Sequence, residues 1–376
     1  MGPHPETGTP NPGYLKIVHI DTGRELRGGQ RQLLRLARGL RERGHEQLVV
    51  CPEGSELEGR AWAEGFRVFA LAAHDLGHAN GILQLRQHLL AEPARIVHAH
   101  DGRGQTISWL ASWGLPVRRV ASRRVTFLPG ARTRHRFVYG RTCHAVIAVS
   151  QFIRGLLIDS GIPARQIEVI PDGIEIPPEL PSRDRRAQAR AQWGLGGENF
   201  VVGQIGAFTP EKGQDLAIEA AHLLRGSLPQ LRLLLVGEPS PEFLIISLPQ
   251  ARNAQDRVKF LGALEDLAPF FAAIELLVMP SRAEGLGSAA LLAMAHGIPV
   301  VASRVGGLPE IVEDGESGWL VLAGEASAVA DAIKAAASDR ERLRRFGAAA
   351  RERARLFSSD IMVERTESLY HRLLGA

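Results

Sequence analysis

The 376-residue sequence predicts an α/β fold of two domains, each a doubly wound parallel sheet covered by helices. Three observations carry that prediction. Short apolar strands alternate with helical periodicity through the first half, the same plan recurs through the second, and a proline-rich stretch, Pro177-Pro178-Glu179-Leu180-Pro181, separates them. The length also exceeds one ordinary core and fits two domains of about 150–200 residues each.

Residues 1–13, rich in Pro and Gly, read as a flexible tail. Tyr14 to Ile20 alternates apolar and polar residues, as a strand does. Asp21 to Gly29 is a polar loop, and Gln30 to Arg43 has helical periodicity through Leu33, Leu34, Leu36 and Leu40 until Gly44 stops it. Strands follow at Gln47 to Cys51 and Arg67 to Leu71, with a helix at Glu56 to Glu64 between them. Gly28-Gly29 ahead of the first helix lets a ligand phosphate approach the backbone, a flexible turn being the alternative. The spacing of Gly23, Gly28 and Gly29 is not G-x-G-x-x-G, which argues against a nicotinamide enzyme.

Residues 82–90 read as a helix and Ile96 to Asp101 as a strand with a polar end. His98 and His100 share a face of it, and His100 falls at the carboxyl end, where open parallel sheets bind ligands. His100 is therefore expected to hydrogen-bond a ligand and His98 to be packed. No Cys or carboxylate cluster completes a metal site around the pair. His144 to Ser150 and Ile167 to Pro171 are strands flanking a helix at Gln151 to Ser160, and the prolines that follow place the domain boundary at about residue 178.

The second domain, 179–358, repeats the pattern. Strands are expected at Val201 to Ile205, Leu231 to Val236, Val258 to Gly262, Ile274 to Met279, Pro299 to Ala302 and Gly318 to Val321. Helices are expected at Gln214 to Leu224, Leu267 to Ala273, from Ser288 to the stop at Gly297, and at Leu308 to Val312, with helix thereafter to Leu374. Lys212 sits beside Gly213 just ahead of a helix, where a phosphate-contacting lysine or an ordinary surface lysine would both fit. The stretch after Pro280 fits a phosphate-binding loop, an ordinary strand-to-helix turn being the alternative. Gly285 and Gly287 keep no Cβ between an anion and the backbone, Leu286 lies between them, and the N–H groups of Ser288 and Ala289 open the next helix. Glu284 does not belong in an anion cradle, so it should face something else, such as sugar hydroxyls.

Composition narrows the function. There is no apolar run of 18 residues and no leader pattern, so neither a membrane span nor a signal peptide is expected, and Cys51 and Cys143 are too few for a disulfide framework and suit a reducing cytosol. Residues 1–178 hold 23 Lys and Arg against 16 Asp and Glu, a charge of +7; the remainder holds 22 against 25, or −3. From Gly102 to Ile158 there is no carboxylate but ten arginines, among them Arg118, Arg119, Arg123, Arg124, Arg132, Arg134 and Arg136, with Phe127, Phe137 and Tyr139 interleaved. Guanidinium groups favour phosphate, so an anionic acceptor or an anionic membrane surface is expected, with a solvated basic face as the alternative. No RNP, zinc-finger or helix-turn-helix pattern supports nucleic acid.

Read together, Gly206-Ala207-Phe208-Thr209-Pro210-Glu211-Lys212-Gly213, Val236-Gly237, Phe260-Leu261-Gly262, Pro280-Ser281 with Glu284-Gly285-Leu286-Gly287, Ala293-Met294-Ala295 and Gly297 to Ala302 resemble the retaining glycosyltransferases of family 4. Val169 to Ile174 resembles that family's hinge segment. The resemblance implies the GT-B architecture of two Rossmann-like domains facing a cleft, with a C-terminal helix, residues 359–376, crossing back to the first domain. It implies a nucleotide-diphosphate-sugar as donor substrate, no cofactor and no metal, and a hydroxyl acceptor on the first domain. The acceptor class would be a glycan or lipid of the cell envelope, such as a lipopolysaccharide core, met in the cytoplasm at the inner face of the membrane. By similarity Lys212 would bind the donor diphosphate, Glu284 the sugar hydroxyls, and Ser288 with Ala289 the phosphates. His100 would lie near the transferred sugar and Gly28-Gly29 near the donor phosphates. Two positions depart from the family pattern: Leu292 stands where a ribose-binding glutamate is usual, and Ala207 where an arginine is usual. Arg103, Arg123 or Arg124 would be candidates to supply the missing charge.

Overall fold

The computed structural model describes residues 13–72, 79–126, 136–238 and 256–375. These form two compact units, 1–173 with 359–376 and 174–358. The division falls a few residues before the proline-rich stretch, because the segment before it is tied into the first unit. Arg124 Nε donates to Asp172 Oδ1 at 2.9 Å, and Gln32 accepts from Gly173 N at 3.1 Å and donates to its carbonyl at 2.9 Å.

The first unit holds seven parallel strands: β1 Lys16–Ile20, β2 Glu46–Pro52, β3 Arg67–Leu71, β4 Ile96–Ala99, β5 Arg118–Arg123, β6 Ala145–Ala148 and β7 Ile167–Val169, in the order β3-β2-β1-β4-β5-β6-β7. The chain winds outward one way from β1 and then returns to the other side of it, so β1 and β4 flank the switch point. Glycine at 28 and 29 belongs to the helix Gly28–Glu42 rather than to the preceding loop, because Gln30 caps the helix through the backbone N–H of Arg27. The arginine-rich stretch is broken into the helix Gly102–Ala111, β5 and the π-helical segment Arg136–Arg141. Arg118 and Arg119 therefore begin β5 while Arg123 ends it, a strand length away. Arg136 is exposed; Phe127, Arg132 and Arg134, like tail residues 1–12, lie outside the described residues.

The helix Ser359–Leu374 belongs to this unit and buries Met362, Val363, Leu369 and Tyr370 in the same cluster as Ile17, Leu36, Leu40 and Ile147. Close packing against the helix Gly28–Glu42 is visible at Gly39, where an added Cβ would lie 2.5 Å from Val363 Cγ2.

In the second unit six parallel strands, β8 Phe200–Ile205, β9 Leu231–Val236, β10 Val258–Gly262, β11 Leu276–Met279, β12 Val300–Ser303 and β13 Gly318–Val321, run in the order β10-β9-β8-β11-β12-β13. The switch point lies between β8 and β11. Central strands such as LLVM of β11 and VVAS of β12 are buried throughout, as expected for strands covered on both faces. The helix Arg183–Gln192, capped by Ser182, was not legible in the sequence, since its only fully buried residue is Ala189.

Candidate active site

In the second unit the loops after β8 and β11 meet at the switch point. Lys212 Nζ donates to Glu284 Oε1 at 2.5 Å, and Ser281 Oγ donates to the same oxygen at 3.2 Å. The Glu284 side chain is 8% exposed and that of Lys212 33%, so the carboxylate is enclosed while the lysine side chain is partly open to solvent. Both loops are pinned. Gln204 Nε2 donates to Lys212 O at 2.8 Å, Arg282 N to Glu211 O at 2.7 Å, and Arg282 forks onto Asp215 at 2.6 and 2.9 Å. Arg282 is thereby committed to structure rather than to a ligand.

Glycine is demanded by geometry at two points beside this pair. Gly213, at φ +67°, would place a Cβ 2.1 Å from Pro280 O, and Gly306, at φ +57°, would place one 1.8 Å from Glu284 O. Gly287, also left-handed at φ +102°, precedes the helix Ser288–Ala295, which has no side-chain cap. The N–H groups of Ser288 and Ala289 have no partner among the described residues, leaving donors and the positive end of the helix dipole available to an anion. Gly285 and Leu286 connect this helix to Glu284. Leu292 is partly exposed on the helix and Ala207 partly exposed after β8, so neither departure from the family pattern is filled by another charge at its own position.

In the first unit a polar row lies at the equivalent switch point. His19 of β1 is the register partner of His98 of β4, and His100 follows β4 immediately. Gln47 Oε1 can only accept, so the contact with His19 Nε2 at 2.8 Å puts the proton on that nitrogen. His19 Nδ1 then accepts from His100 Nε2 at 3.0 Å, and His100 Nδ1 faces Arg124 Nη1 at 3.4 Å, with Arg124 paired to Asp172. One polarised chain thus runs from Asp172 to Gln47. It requires neutral imidazoles. Burial brings His19 down to about 4, and burial, then His98, Arg124 and His19, holds His100 well below the ordinary histidine range.

His98, fully buried, meets Tyr370 Oη at 2.6 Å and Ser122 Oγ at 2.8 Å, so it is packed and satisfied. His100 is 5% exposed and both of its ring nitrogens are engaged. His19 was not singled out in the sequence. Its partners come from positions up to 81 residues away, and only its polarity inside the apolar strand KIVHI could have flagged it. The three histidines offer nitrogens within 4.8 Å of one another, but every ring nitrogen has a hydrogen-bond partner.

Among the other predicted residues, Gly28 and Gly29 sit at the open start of their helix, and a Cβ at Gly29 would meet nothing within 4 Å. No protein atom therefore requires glycine at 29. Arg124 is spent on Asp172, Arg123 on Thr126 O at 2.7 Å, and Arg119 Nε on Thr142 O at 2.6 Å. Arg103 is exposed with no partner among the described residues. No helix among the described residues is long and apolar enough to cross a membrane.

Comparison with known proteins agrees with this geometry. The family model for glycosyltransferase family 4 matches residues 26–176, and that for glycosyl transferases group 1 matches residues 185–353. A GDP-mannose-dependent α-(1-6)-phosphatidylinositol monomannoside mannosyltransferase of Mycolicibacterium smegmatis is 29% identical over 86% of this chain and 90% of its own length. A D-inositol 3-phosphate glycosyltransferase of Mycobacterium bovis is 30% identical over 83% of this chain and 68% of its own length. The crystal structure of Anabaena Alr3699/HepE in complex with UDP-glucose superposes with a TM-score of 0.85 at 26% identity, covering 94% of this chain and 99% of that one. With two parallel-sheet units, loops meeting at both switch points and these relatives, the chain belongs to the family 4 glycosyltransferases of GT-B fold.

Proposed function

We propose that the protein moves a sugar from a nucleotide-diphosphate-sugar to a hydroxyl of an anionic glycan or lipid, with retention at the anomeric carbon and without a metal or other cofactor. The observation that carries this reading is the enclosed Glu284 carboxylate paired with the partly exposed Lys212 beside an uncapped helix N-terminus. Negative charge grows on the diphosphate as the glycosidic bond breaks, and Lys212 with the N–H groups of Ser288 and Ala289 would stabilise it there. Among the described residues, no side chain of the second-unit loops other than the lysine-paired Glu284 stands out as a nucleophile, which favours attack on the same face assisted by the leaving phosphate. The relatives support the donor class, since one is named for GDP-mannose and another is bound to UDP-glucose. They also support a phosphorylated acceptor, since two are named for phosphatidylinositol monomannoside and inositol 3-phosphate.

Purified protein should release nucleoside diphosphate from GDP-mannose or UDP-glucose when acceptor is present, unchanged by EDTA, and NMR of the product should show the donor's anomeric configuration. Lys212→Ala and Glu284→Ala should abolish release; full activity in both would remove the site assignment. The basic first unit favours an acceptor held at the inner face of a membrane, which predicts sedimentation with anionic but not neutral vesicles. Equal partition would remove that part.

Leu292 and Ala207 favour a second reading, a protein of the same fold that binds a sugar nucleotide or envelope precursor without turnover. Calorimetry showing donor binding with no product across an acceptor panel would select it.

A further inference from the structure

The second unit carries another charged cavity, at the opposite end of its strands. Glu275 and Pro299, which precede β11 and β12, mark the amino-terminal ends, whereas Lys212 and Glu284 follow the carboxyl ends of β8 and β11. The cavity measures about 670 Å³ and is lined by five arginines, Arg183, Arg186, Arg190, Arg340 and Arg344, against one carboxylate, Glu275.

That carboxylate is already consumed. Arg190 Nη2 reaches Glu275 Oε2 at 2.9 Å while its Nε donates to Ala273 O at 3.1 Å, and Arg340 binds the other carboxylate oxygen with its guanidinium 5.1 Å from the centre of the Phe200 ring. Two guanidinium groups are thus held rigid on one anion. The guanidinium groups of Arg183, Arg186 and Arg344 have no hydrogen-bond or ion-pair partner among the described residues. Arg186 is only partly exposed; burial, then the neighbouring Arg190, lowers its proton affinity, against the attraction of Glu275. Glu275 is shared by Arg190 and Arg340, so a partly buried Arg186 guanidinium beside them with no hydrogen bond of its own is a cost to the fold, and an anion entering the cavity offsets it. Guanidinium forks match phosphate oxygens better than they match chloride, and the three uncommitted arginines lining one cavity, Arg186 partly buried and Arg183 and Arg344 exposed, favour a doubly charged group. The opening at Gly197, where a Cβ would meet nothing within 4 Å, leaves backbone room for such a group.

We propose that this arginine cavity is a second ligand site, binding a phosphate-bearing molecule through a phosphomonoester or diphosphate group, separately from the sugar donor. It does not depend on the transfer reaction. The phosphate could be carried by a free metabolite or by a lipid headgroup, and the test separates the two.

Inorganic pyrophosphate is titrated calorimetrically into wild-type protein, Lys212→Ala and the double variant Arg186→Gln/Arg344→Gln, with unfolding midpoints recorded for each. In parallel, each protein is sedimented with vesicles of phosphatidylcholine alone and with phosphatidic acid added. Pyrophosphate binding that survives Lys212→Ala and weakens at least tenfold in the double variant identifies a site for a free phosphate ligand. Loss of phosphatidic-acid binding in the double variant alone, with no pyrophosphate heat in Lys212→Ala, identifies a headgroup site. The proposal is overturned if the double variant matches wild type in both arms, or if Lys212→Ala removes all pyrophosphate heat and vesicle binding is unaffected by Arg186 and Arg344. Arg186→Lys, which keeps the charge but loses the fork, should fall between wild type and the double variant at an unchanged unfolding midpoint.

Discussion

Lys212 Nζ lies 2.5 Å from Glu284 Oε1, although 72 residues of chain separate them. The pair resolves the oddity of a carboxylate in a loop otherwise built for phosphate. Without a ligand, each charge satisfies the other. On the proposed function, a diphosphate that drew the lysine away would leave the enclosed carboxylate with Ser281 alone, and the hydroxyls of an attached sugar would supply the missing donors.

This exchange separates the roles of the two residues. Lys212→Ala should weaken nucleoside diphosphate binding by about 1.5–3 kcal/mol, the usual worth of a charge-assisted hydrogen bond. Glu284→Gln removes the competitor for the lysine, so nucleoside diphosphate affinity should hold or tighten while turnover falls at least about tenfold. Calorimetry with GDP and UDP decides it: an equal loss of affinity in both variants would show that Glu284 supports the phosphates and not the sugar.

Two glycines should respond in opposite senses. Gly306→Ala puts a Cβ 1.8 Å from Glu284 O at φ +57°, so it should cost at least about 1–2 kcal/mol in urea denaturation and take turnover down with it. Gly29→Ala meets no atom within 4 Å in a helical segment, so stability should rise by up to about 1 kcal/mol. Donor affinity should nevertheless drop at Gly29→Ala. Unchanged affinity there would exclude phosphate approach at that residue.

The buried histidines give the fold an acid-side weakness. His19 has a folded value of about 4 against 6.5 in the unfolded chain, so between these the unfolded state binds the extra proton. Stability should be independent of this residue above pH 6.5, fall as pH drops from there towards 4, and level off below, by on the order of 3 kcal/mol in all. His98 and His100 shift in the same direction and should steepen the slope. Urea midpoints from pH 7.5 to 4.5 should flatten in His19→Gln; an identical slope would contradict the neutral chain.

Tyr370 ties the C-terminal helix to that row. Tyr370→Phe leaves fully buried His98 Nδ1 without its 2.6 Å partner, which should cost about 1–3 kcal/mol. Hydrogen exchange should localise the loss to the helix Ser359–Leu374 and the first unit. A variant as stable as wild type would mean that water replaces the hydroxyl.

Much of the fold was legible because strands buried on both faces are short continuous apolar runs, as at Leu231 to Val236, and because glycine marks the helix stops at Gly44 and Gly297. The helices Gly102–Ala111 and Arg183–Gln192 were missed for the opposite reason. Their sequences, GRGQTISWLA and RDRRAQARAQ, show no clean apolar stripe, and tertiary packing with N-caps from Asp101 and Ser182 decides them. The arginine run looked like one surface in sequence, yet β5 carries its members to opposite ends of a strand and Asp172 consumes Arg124.

The sequence by itself determined the alternation of strands and helices, the glycine loops, and the candidacy of Lys212 and Glu284, because each rests on local spacing and residue chemistry. Only the tertiary structure decided that Lys212 and Glu284 touch, that His19 joins His98 and His100, and that five arginines share one cavity. The reason is the parallel sheet. Its neighbours β8 and β11, or β1 and β4, are separated by long crossovers, so contacts between the loops at their ends are set by strand order and have no signature in local sequence.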